Sequence, residues 1–105
     1  MIFHPAARDV IRAFPKEVRD GLGRYLFQLQ MAESLSMPHS RPMPNVAAGV
    51  NELRVSGPDG TYRTFYYSAF QKGVLVFHAF AKKTQRTSQS EIRVGKKRLK
   101  ELLNA

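Results

Sequence analysis

At 105 residues, with 43% apolar side chains, the chain is the size of one domain and apolar enough to fold around its own core. It has no cysteine, which excludes a disulfide framework, thiol catalysis and a thiolate metal site. Seventeen Lys and Arg against eight Asp and Glu give a net charge of +9, which points to a polyanionic partner, nucleic acid or an acidic protein.

The chain opens with Met1–His4, a short strand candidate stopped by Pro5. "MIFHPAARD" lacks the charged-then-apolar layout of a signal peptide, and no apolar run approaches the ~20 residues of a membrane span. A soluble cytoplasmic protein without a membrane partner is expected. "AARDVIRAF" has helical spacing at Ala7, Val10, Ile11 and Phe14, and Pro15 suits the first turn of a second helix. There Val18, Leu22, Tyr25, Leu26 and Leu29 form a stripe, and Gly21 and Gly23 either weaken the helix or let the two helices pack closely. The residues at 35–49, with three prolines and a glycine, read as a surface loop.

The period then changes from helical to alternating. "VNELRVS" puts Leu53 and Val55 on one side and Glu52 and Arg54 on the other. "GPDG" is a turn, "TYRTFYYSAF" a second strand, "QKG" another turn, and "VLVFHAF" a third strand with Val74, Val76, His78 and Phe80 on one face. Ser88 and Glu91 have capping-box spacing and start a last helix buried along Ile92, Gly95, Leu99, Leu102 and Leu103. The predicted order is β-α-α-β-β-β-α: an α+β fold whose small antiparallel-rich sheet carries its helices on one face and leaves the other open. Residues 1–105 are expected to form one domain.

The residues 82–100 hold Lys82, Lys83, Arg86, Arg93, Lys96, Lys97, Arg98 and Lys100 against Glu91 alone, so the charge is a patch. If the strand faces coincide, Arg54, Arg63 and His78 converge on the open face with Lys82 and Lys83 at its rim. Each has a plain alternative. His78 is a core histidine or a proton carrier, and Arg63 either lies over neighbouring aromatics or reaches a phosphate. His4, His39 and His78 lie far apart and do not form a metal-site pattern, so no metal or cofactor is expected.

Three strings carry a resemblance: "AFPKEVRDGLGRYLFQLQ", "NELRVSGPDGTYRTFY", and "VLVFHAFAKKTQRTSQSEI" followed by a basic helix. Over nearly its whole length the chain resembles the RelE/HigB superfamily, and within it the phage-derived HigB-like branch. The resemblance implies a RelE-like fold and the toxin of a type II toxin–antitoxin system, a metal-independent endoribonuclease. Such toxins cleave mRNA, commonly at the ribosome, by attack of a ribose 2′-OH on the adjacent phosphate, and a helix-turn-helix antitoxin neutralises them.

On that pattern Arg63, His78, Lys82 and Lys83 are the candidate catalytic residues. Arg63 would hold the phosphate, Lys82 and Lys83 would stabilise the transition state, and His78 would transfer protons. Arg54, Phe80, Arg86, Lys96, Lys97 and Lys100 are the candidate RNA contacts, Phe80 by stacking on a base. The sequence departs from RelE proteins in carrying Glu52 where they have a lysine, and in having no tyrosine between the basic loop and the last helix. The competing reading is a non-catalytic RNA-binding, DNA-binding or antitoxin-binding module.

Overall fold

The structure is a computed structural model that describes residues 1–31, 39–69, 73–82 and 87–104. Its elements are β1 (Ile2–Phe3), α1 (Pro5–Arg12), α2 (Lys16–Gln30), β2 (Ser40–Pro42), β3 (Val50–Gly57), β4 (Gly60–Ala69), β5 (Gly73–Lys82) and α3 (Gln89–Leu103). The sheet runs β1-β5-β4-β3-β2, with β1 parallel to β5 and the remaining pairs antiparallel. This is the expected α+β architecture, consistent with a RelE-like fold.

Two features differ from the expected order. Part of the proline-rich segment is the edge strand β2, where Pro42 is tolerated because an edge residue has no second neighbour to bond. The helices also do not share one face. Leu22 and Leu26 of α2 pack with Leu53, Tyr66, Val74 and Val76, while Ile92 and Leu99 of α3 pack with Phe65, Leu75, Phe77 and Phe80. Side chains alternate along a strand, so Phe65 and Tyr66 point oppositely and α3 covers the side expected to be open.

Glycines set how closely these layers approach. A side chain at Gly21 would meet Val55 Cγ1 at 3.1 Å, so Gly21 seats α2 on β3 and not on α1. A side chain at Gly95 would come within 2.8 Å of Phe65, so α3 lies flat on the sheet only because that position is bare.

The strand carrying His78 holds an irregularity. Phe65 pairs with His78 but Tyr66 pairs with Val76, which leaves Phe77 as an extra residue on β5. This bulge breaks the alternation. Val74 and Val76 therefore face α1 and α2, whereas His78 and Phe80 face α3. The expected grouping of all four on one face is corrected by that one residue.

Candidate functional site

On the α3 side, cross-strand pairing lays out two rows. Arg41, Glu52, Phe65 and His78 form one; Arg54, Arg63 and Phe80 form the next, with Lys82 beyond it opposite Thr61. The sheet thus brings Arg54, Arg63, His78, Phe80 and Lys82 to one side.

At the start of α3 the polar groups interlock. Glu52 is fully buried and Arg63 is 1% exposed. Arg54 Nε donates to Glu52 Oε1 at 2.9 Å, and Arg63 Nη1 lies 3.9 Å from the same oxygen. Arg63 Nη1 also donates to Thr87 Oγ1 at 3.0 Å, and the Thr87 hydroxyl donates to Glu52 Oε2 at 2.7 Å. Burial pulls the Arg63 guanidinium below its ordinary range; Glu52 opposes this, and the charges of Arg54 and Arg41 reinforce it. Two arginines therefore share one carboxylate, and a third, Arg41, stands opposite Glu52 on the neighbouring strand. The cluster keeps a surplus of positive charge beside a cleft of about 470 Å³ lined by Arg41, Pro42, Asn45, Thr87 and Ile92. The N-terminus of the 15-residue α3, capped by Ser88, adds positive potential at the same end.

Arg63 is therefore not the surface side chain that the sequence suggested. It reaches its surroundings through Thr87, while Arg54, 16% exposed along its side chain, stands at the margin.

His78 corrects a larger expectation. It is 5% exposed, under α3 rather than on an open face. Its Nδ1 lies 2.8 Å from Arg98 Nη1 and its Nε2 lies 2.9 Å from Glu91 Oε1. Arginine can only donate, so Nδ1 accepts and the ring proton sits on Nε2, donated to Glu91. Burial pushes the imidazole below its ordinary value of 6.5; the Glu91 hydrogen bond opposes that shift and Arg98 reinforces it. The result is a neutral ring with both nitrogens engaged, a tie between helix and sheet. A second tie crosses at the other end of α3, where His4 accepts from Ala6 N through Nδ1 and meets Glu101 Oε1 at 2.8 Å through Nε2.

Phe80 also leaves the RNA-contact set. It is buried, edge-on to Phe65 with ring centroids 5.5 Å apart, and a base cannot stack on it there. Lys82 is half-buried at the end of β5. Lys96, Lys97 and Lys100 are exposed on α3. Lys83 and Arg86 lie outside the described residues.

The sequence reading missed Arg41, which falls in a segment taken for loop, and gave no role to Thr87, although it stands in the string "VLVFHAFAKKTQRTSQSEI" that carries the resemblance. It took Glu91 only as a cap and Arg98 only as part of a patch. A signal for these last two was present: residues 91, 95, 98 and 99 share one helical face, so Glu91 and Arg98 had to turn toward the sheet with Gly95 and Leu99.

Among the described residues, no helix is long and apolar enough to cross a membrane. In comparison with known families, the one described as phage-derived protein Gp49-like (DUF891) matches residues 9–100. No curated protein matches the chain.

Proposed function

The chain belongs to the phage-derived Gp49-like family, which is associated with the toxins of toxin–antitoxin systems, and from that premise we propose that it is a type II toxin of the RelE/HigB kind that cleaves mRNA. The supporting observation is the arginine cluster around Glu52, a concentrated positive site beside an open cleft.

The reaction is attack of a ribose 2′-OH on the adjacent phosphorus, with loss of the 5′ oxygen of the next nucleotide. It leaves a 2′,3′-cyclic phosphate and a 5′-OH. Its demands are an in-line geometry and neutralisation of charge building on the phosphoryl oxygens. Arg41 in the cleft wall, backed by Arg63 and by Arg54 on the far side of Glu52, supplies that charge, and Lys82 lies beyond them on the same side of the sheet. Guanidinium groups suit the task because their planar forks match phosphate oxygens and stay charged. Lys96, Lys97 and Lys100 add a second cationic surface for the RNA backbone or the ribosome, and a small helix-turn-helix antitoxin is the expected partner. His78 has no place in this proton transfer, since its only acceptor nitrogen already takes a hydrogen bond from Arg98.

The purified protein should cut mRNA when translating ribosomes are present, leaving cyclic-phosphate ends. Intact RNA with and without ribosomes, with binding retained, would favour the second reading, a non-catalytic RNA-binding or antitoxin-binding module. The observation on its side is the engagement of His78, which removes the most obvious acid–base group.

A further inference from the structure

We propose that Glu52 is the positioning residue of this site: its carboxylate fixes the stance of the arginines that meet phosphate, at the cost of weaker attraction for the RNA itself. The inference rests on the RNA-cleaving reading above.

A fully buried carboxylate persists only where charge and hydrogen bonds compensate its lost water. Glu52 has both, and its two oxygens are divided between two tasks. Oε1 takes the Nε proton of Arg54, which fixes the plane of that guanidinium. Oε2 takes the hydroxyl proton of Thr87. A threonine hydroxyl has one proton, so this donation leaves its lone pairs to accept from Arg63 Nη1. The chain of donors therefore has one direction, from Arg63 to Thr87 to Glu52, and it orients the buried arginine through an uncharged relay.

A phosphate arriving at the cluster competes with this carboxylate for the same positive charge. Glu52 therefore improves geometry and weakens binding together. A side chain that merely holds the fold would not separate these effects: its loss would weaken binding and turnover in the same direction.

Glu52→Gln keeps the shape and removes the charge. Its amide offers a single oxygen, so either Arg54 or Thr87 loses its acceptor. RNA affinity should rise, with a salt dependence steeper by about 0.7 in log–log slope, one single-strand phosphate contact. The cleavage rate at saturating RNA should fall by about 10²-fold, the scale of a small misplacement at a reacting centre. Thr87→Val cuts the relay without altering charge, so it should lower kcat while leaving the salt slope of RNA binding unchanged.

Parallel loss of affinity and turnover in both variants would overturn the proposal, and so would unchanged turnover in Thr87→Val. The second variant decides the matter if Glu52→Gln does not fold. Wild-type protein that leaves RNA intact with and without ribosomes would instead remove the RNA-cleaving reading, and this inference with it.

Discussion

Beneath α1 and α2 the sheet buries Leu53, Tyr62, Tyr66, Val74, Val76 and Ala79, and no charged side chain among the described residues. Beneath α3 it buries Glu52, Arg63 and His78 among Phe65, Phe77 and Phe80. The same strands thus supply a mainly apolar layer on one side and a charged, cross-linked layer on the other. The buried polar residues of the first, among those described, are the uncharged Thr64 and Ser40, the latter hydrogen-bonded to Tyr66. On the first side, stability comes from area removed from water, which any well-fitting apolar residue can provide. On the second it depends on particular partners, because a buried charge that loses its partner is costly. The site proposed for RNA lies where the packing is least interchangeable.

The comparison is broken most strongly from the apolar side. Leu53→Ala should cost about 2–5 kcal/mol by urea unfolding, the range for a leucine removed from a core. Turnover per folded molecule should stay unchanged; a selective loss of turnover would mean that the two layers are not separable.

Next comes the seat of α3. Gly95→Ala places a methyl group 2.8 Å from Phe65 and should cost about 1–3 kcal/mol, as overpacking does. Because the start of α3 adjoins Thr87, this change should also lower RNA cleavage, unlike Leu53→Ala.

A smaller effect appears in acid. The folded state holds the His78 pKa below 6.5, so the unfolded chain takes up its proton first as pH falls. Wild-type stability should therefore decline as pH drops below about 6.5, the ordinary histidine value. His78→Gln can still donate to Glu91 and accept from Arg98 but does not titrate. Its unfolding midpoint should change less with acid than that of wild type; equal acid sensitivity would show that His78 is not the group responsible.

The smallest change in stability is expected on the outer side of α3. Replacing Lys96, Lys97 and Lys100 with Ala should alter stability by no more than about 0.5 kcal/mol per site. The slope of RNA binding against salt should nevertheless fall by about 0.7 for each phosphate that is no longer neutralised. An unaltered slope would place the polyanion-binding charge on the arginine cluster alone.

Most of the architecture was legible because it rests on local rules. Alternation in "VNELRVS", the "GPDG" turn and the Ser88 cap each specify their element within a few residues. The placement of α3 was not, since a stripe of Ile92, Gly95 and Leu99 shows that a helix packs but not on which side of the sheet. His78 was misplaced for a related reason: strict alternation gave it the company of Val74 and Val76, and nothing in "VLVFHAF" marks Phe77 as supernumerary. Arg63 looked exposed because a strand arginine usually is. Its burial requires Glu52 and Thr87, which stand 11 residues before it and 24 after it, and only the folded chain brings them together.

The extra residue in β5 acts like a letter inserted into a message read two at a time: every side chain beyond it changes sides. Phe77 and His78 both turn toward α3, so losing either one would restore strict alternation and leave every other residue of the strand where it is. Losing Ala79 would instead carry Phe80 and Lys82 into the layer beneath α1 and α2, exchanging the cationic end of the strand for its apolar side. In lineages of this chain, a one-residue gap within β5 should therefore fall at 77 or 78, and gaps elsewhere should gather in the turns.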